Sequence, residues 1–81
     1  MNEAKLKELN ALIADIYETD ESALTPDTSF SKDLNADSMK RTIFSAEVED
    51  LTGISLSVAK LLYLEKVRDV YRELESWLKE N

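Results

Sequence analysis

The chain has 81 residues, 43% of them hydrophobic and 33% charged, with a formal net charge of −7 and neither Cys nor His. That length suits a single small domain spanning residues 1–81, and the missing Cys and His exclude disulfides, thiolate nucleophiles, Ser-His-Asp triads and most zinc or haem sites. No basic patch marks a nucleic-acid binder, no run is long and apolar enough for membrane insertion, and charges throughout Met1–Ile13 are unlike a signal peptide, so a cytoplasmic protein with basic partner surfaces is expected.

One Gly, one Pro and an abundance of Ala, Leu, Glu and Lys point to an all-α fold. Residues 3–18 read as an amphipathic helix, with Leu6, Leu9, Leu12, Ile13 and Ile16 at helical spacing and Asn2 as its cap. Residues 19–36 form a long connection rich in Thr, Ser and Asp around Pro26. Loops this long are usually functional or pinned down; Leu24, Phe30 and Leu34 are the expected pins. Phe30 and Leu34 lie i, i+4, which fits a short helical turn.

A second helix is expected from Asp37 or Ser38 to about Leu51. Its apolar residues form more than one row: Phe44, Val48 and Leu51 in one, Met39, Ile43 and Ala46 in another. A small surface helix needs one core face, so the second row either widens the core face or looks outward toward a partner. Thr52-Gly53 ends this helix, with Gly53 in the left-handed cap position. "ISLS" follows as an extended connector that turns Ile54 and Leu56 inward. Ser57 caps a short third helix, "VAKLLYL". A fourth runs from about Glu65 to Lys79 and carries Val67, Val70, Tyr71, Leu74, Trp77 and Leu78 on one stripe. Nothing between the third and fourth breaks a helix, so the two could join.

"SFSKDLNADSMKR", from Ser29 to Arg41, invites three readings. As a calcium loop it begins well, with Asp33, Asn35 and Asp37 alternating. It then fails: Ser38 stands where Gly is needed, Phe44 where a bidentate Glu is needed, and Lys40 and Arg41 repel a cation. As a helix start it works: Asp37 caps, worth about 0.5–2 kcal/mol, and Ser38 is the first helical residue. Yet Lys40 and Arg41 oppose the helix dipole at roughly 0.3–1 kcal/mol each, and Asp37, placed i, i+4 from Arg41, offsets part of that. As an attachment point it works better. A Ser hydroxyl at a helix N-terminus is well placed to carry a phosphate ester, and the two cations then sit beside a phosphodiester.

The block "D-T-S-F-S-K-D-L-N-A-D-S-M" resembles the segment around the prosthetic-group serine of acyl carrier proteins, S-F-x-x-D-L-G-A-D-S-L. "G-I-S-L-S" resembles their G-I-E-I-P connector, and "E-K-V-R-D-V-Y-R-E-L" their last helix, so the resemblance covers essentially the whole chain. It implies a small four-helix bundle with a long first loop and a short third helix. It implies that Ser38 receives a 4′-phosphopantetheine arm from coenzyme A, with Asp37 as the acidic neighbour read by the phosphopantetheinyl transferase. Asn35 stands where the family often has Gly, and Asn tolerates the left-handed conformation. The imported arm supplies the reactive thiol that the chain lacks. The chain itself would be no enzyme and bind no metal; it would be a monomer serving acyl-transferring or acyl-elongating enzymes of fatty-acid, polyketide or related biosynthesis.

The departures from the family lie on helix two. Ordinary fatty-acid carriers have an acidic second helix; here Lys40 and Arg41 fill its first turn and Ile43 replaces an acid, while Glu47, Glu49 and Asp50 keep the far half acidic. Thr52 replaces a bulky core residue and Ser57 the common Pro. These changes imply a specialised carrier that docks through Met39 and Ile43, with Lys40 or Arg41 selecting by charge. The competing function is a non-covalent helical adaptor that binds a partner through helix two.

Overall fold

A computed structural model describes residues 1–80. Helix α1 spans Glu3–Ile16 and is capped by Asn2, whose Oδ1 accepts the N–H groups of Ala4 and Lys5 at 3.0 and 3.2 Å. It stops before residue 18 because Glu18 adopts φ 56°. The Tyr17 and Thr19 N–H groups close back onto the Ile13 and Ala14 carbonyls, each at 2.9 Å. This turn drops the Tyr17 ring into the core, where it is 4% exposed.

The long connection holds a 3-10 turn at Glu21–Ala23 and leads to α2, Ser38–Thr52. Gly53 ends α2 in the left-handed conformation, φ 75°. The Thr52 hydroxyl donates to the Val48 carbonyl at 2.7 Å and accepts the Ile54 N–H at 3.0 Å, so this Thr bonds locally instead of filling the core. After the extended connector, Ser57 caps α3, Val58–Leu61, by accepting the Lys60 N–H at 3.1 Å.

Helices three and four are separate. The third is one turn long, and residues 62–63 form a turn instead of extending it. The last helical region starts at Val67, two residues later than the apolar pattern indicates, and divides at Leu74 into α4, Val67–Glu73, and α5, Glu75–Leu78. Two contacts hold Glu65 and Lys66 extended. Asp69 Oδ2 reaches back to the Lys66 N–H at 3.0 Å, a carboxylate cap at the helix start. Lys66 also forms an antiparallel bridge with Ser29, with Phe30 N–H on the Glu65 carbonyl at 2.8 Å and Val67 N–H on the Thr28 carbonyl at 3.0 Å.

One apolar core joins the α-helices: Leu9, Ile13, Phe44, Val48, Leu56, Val67, Val70, Leu74 and Leu78 are buried, with Tyr17, Phe30, Leu34, Leu61 and Trp77 around them. Leu24 packs against it half-buried. The two ends of the chain are tied together. The Asn2 N–H donates to the Leu78 carbonyl at 2.6 Å, its side-chain amide to the Glu80 carbonyl at 3.0 Å, and Lys5 Nζ lies 5.0 Å above the Trp77 ring.

Candidate functional site

The site is built by the last residues of the long connection. Phe30 and Leu34, each 6% exposed, pin the segment to the core. Between them the chain makes the expected helical turn: the Asp33 and Leu34 N–H groups meet the Ser29 carbonyl at 2.9 and 3.2 Å. Asp33 Oδ2 returns to the Ser29 N–H at 2.8 Å. Asn35 takes φ 50°, the left-handed conformation expected of it. Ala36 N–H then closes the loop on the Phe30 carbonyl at 2.9 Å. This loop delivers Asp37 as the cap of α2, where its Oδ1 accepts the Lys40 N–H at 2.8 Å.

Ser38 is therefore the first residue of a 15-residue helix and is exposed. Among the described residues, its hydroxyl has no hydrogen-bond partner, and neither its amide N–H nor that of Met39 is taken. Free N–H groups and the positive end of a helix dipole favour an anion at this position. Asp37 and Arg41 form no ion pair among the described residues. The close i, i+4 pair expected from their spacing does not form; Asp37 Oδ1 instead holds the Lys40 N–H.

Arg41 is half-buried over an aromatic cluster. Tyr17 lies 5.2 Å from Phe30 and 5.9 Å from Phe44, and Phe30 lies 6.2 Å from Phe44, between ring centroids. With Leu61 and Leu64, these rings and Arg41 line a cavity of ≈ 10 Å³, room for about one water. Burial pushes the Tyr17 hydroxyl up to about 12, against the pull of the Arg41 guanidinium and with a smaller push from Asp37. Tyr17 thus stays neutral. Its place in this cluster follows from a pattern that also escaped the helical stripe above: Leu9, Ile13 and Tyr17 are spaced i, i+4, i+8.

On α2 the two apolar rows separate. Phe44 and Val48 are fully buried, whereas Met39 is 72% and Ile43 44% exposed, and Ala46 is exposed beside them. The second row looks outward. Lys40 is half-buried; Glu47, Glu49 and Asp50 are exposed. Glu47 and Asp50 face α1 across an open groove, and Glu49 does not line it. Leu62 and Tyr63, exposed by 59% and 85% in the turn after α3, add apolar surface that the helical pattern had absorbed into a longer helix.

The family model described as "Phosphopantetheine attachment site" matches residues 7–74. Among curated proteins, the acyl carrier protein of Treponema denticola is 37% identical over 70 residues, covering 86% of this chain and 90% of that protein. The acyl carrier protein of Treponema pallidum (strain Nichols) is 36% identical over 68 residues, covering 84% and 87%. The polyketide-8 synthase acyl carrier protein 2 of Streptomyces avermitilis is 29% identical over 72 residues, covering 89% and 83%.

Proposed function

Because the chain belongs to the phosphopantetheine-attachment family of acyl carrier proteins, we propose that Ser38 is the residue that takes the 4′-phosphopantetheine arm from coenzyme A. The protein is a carrier and not a catalyst. When bound, the arm supplies a thiol that holds an acyl group as a thioester. The observation that carries Ser38 is its exposed hydroxyl, without a protein partner, at the first residue of α2. The residues around it fit a phosphodiester: two free amide N–H groups precede Lys40 and Arg41 on the same first turn. Asp37 lies next to Ser38 and holds the Lys40 N–H through Oδ1, which fixes the start of the helix that presents the Ser38 hydroxyl. Incubation with coenzyme A and a phosphopantetheinyl transferase, followed by intact-mass measurement, tests the assignment. One phosphopantetheinyl gain that disappears in Ser38→Ala is expected; no gain, or a gain that survives the substitution, overturns it.

A carrier works with its transferase and with biosynthetic enzymes. In our reading those enzymes dock on Met39 and Ile43, select on Lys40 and Arg41, and meet Glu47, Glu49 and Asp50 further along α2. The exposure of Met39 and Ile43 supports this reading. The cargo is an acyl intermediate of fatty-acid or polyketide assembly, and the chain acts as one monomeric cytoplasmic domain. The adaptor reading uses the same exposed row, and differs in leaving Ser38→Ala fully functional.

A further inference from the structure

Between α1 and α2 lies an open groove of ≈ 520 Å³, lined by Glu8, Ala11, Leu12, Asp15, Glu47, Asp50 and Leu51. On α1 its residues fall at i, i+3, i+4 and i+7, a single stripe. The floor is apolar: Leu12 and Leu51 are half-buried at the edge of the core and Ala11 is exposed. The rim is uniformly acidic. Glu8, Asp15, Glu47 and Asp50 are all exposed, and none of them joins an ion pair among the described residues. No three acidic side chains among the described residues are close enough to share a metal ion.

We propose that this groove receives a basic amphipathic helix of a partner protein, its apolar side on Ala11, Leu12 and Leu51 and its Lys or Arg residues on Glu8, Asp15, Glu47 and Asp50. An amphipathic helix in an apolar groove is a recurrent mode of recognition. Charge complementarity selects the sign of the occupant and speeds its arrival. A second copy of this chain, itself at −7, has the wrong charge. The groove does not include Ser38. Glu47 lies roughly two and a half helical turns, about 13 Å, beyond it, so a partner held here leaves the Ser38 hydroxyl free. The proposal stands on the groove alone and does not depend on which residue carries the arm.

The test uses synthetic helical peptides on the full isotope-labelled chain, followed by NMR. One peptide has a Leu ridge flanked by Lys and Arg, a second replaces the cations by Glu, and a third replaces the ridge by Ala. The first is expected to move amide signals within residues 8–15 and 47–51 and to bind at least tenfold tighter than either control. Glu8→Lys with Asp15→Lys is expected to weaken it at least fivefold while Ser38 loading is unchanged. If that pair unfolds the chain, Ala11→Glu on the exposed floor replaces it, with the same loss expected. Signals moving mainly around Met39–Ile43, equal binding of the Ala-ridge peptide, displacement by spermine at equal charge, or dimerisation of the free protein through residues 8–15 each overturn the proposal.

Discussion

Glu65 accepts the Ser31 hydroxyl at 2.6 Å and, with the same oxygen, the hydroxyl of buried Ser29. This contact fastens the connection that ends at Ser38 to the residues just before α4, beside the Ser29–Lys66 bridge. The loop that leads to Ser38 is thus held from a point 34 residues away in sequence.

The clasp makes stability depend on pH. Hydrogen bonds from Ser29 and then Ser31 hold the Glu65 carboxyl below its ordinary value of 4.5. A carboxylate with a depressed folded value contributes stability above its unfolded value and loses it as pH falls through the folded one. Urea midpoints of the wild type and Glu65→Gln, measured from pH 6.5 to 3, should differ by a constant amount above about pH 5.5 and converge below 4.5. A gap unchanged across that range would show that the bonds do not depend on ionisation.

Asp37 combines a cap with a negative charge, and two substitutions separate them. Asp37→Ala removes the acceptor for the Lys40 N–H and should cost about 0.5–2 kcal/mol in urea unfolding. Asp37→Asn keeps an acceptor and should cost only a few tenths. If the transferase reads the charge, both variants load Ser38 slowly in the intact-mass assay, although only one is destabilised.

Glu18 occupies the left-handed region at the end of α1, φ 56°, with its side chain exposed. A residue with a Cβ is strained there and Gly is not. Glu18→Gly should therefore raise the unfolding free energy by about 1 kcal/mol, read as a higher urea midpoint. Most Gly substitutions in helices act in the opposite direction.

Lys40 opposes the α2 dipole, so Lys40→Asp should stabilise the chain by roughly 0.3–1 kcal/mol. Combined with Arg41→Thr, it should also increase acyl loading by generic fatty-acid enzymes if the basic turn selects partners by charge. Lys40→Asp alone carries the cleaner result, since Arg41 also covers the aromatic cavity. Equal loading of the wild type and both variants would remove charge selection from this face.

The parts of the molecule written in local spacing were readable in the sequence. Asn2, Asp37, Gly53 and Ser57 cap as their types indicate, Phe30 and Leu34 pin the loop, and Asn35 turns it. What escaped depends on distant partners. The Ser29–Lys66 bridge and the Glu65 clasp join segments with no common periodicity, so the apolar pattern places Glu65 and Lys66 in a helix they do not enter. Asp69 was the one local sign of the later start, an acid reaching back from the first turn. The place of Ser38 at the head of α2, behind its Asp37 cap, is legible from local residue types, whereas the acidic groove exists only once α1 and α2 lie side by side.

The bonds from Asn2 to Leu78 and Glu80 bring the beginning and end of the fold to one place. The backbone is therefore nearly a closed ring. A short Gly-Ser linker could complete it, and the break could be moved to the exposed turn at Glu21–Ala23. The same geometry lets the domain be threaded into a larger polypeptide as a loop, with both strands of the host entering and leaving side by side.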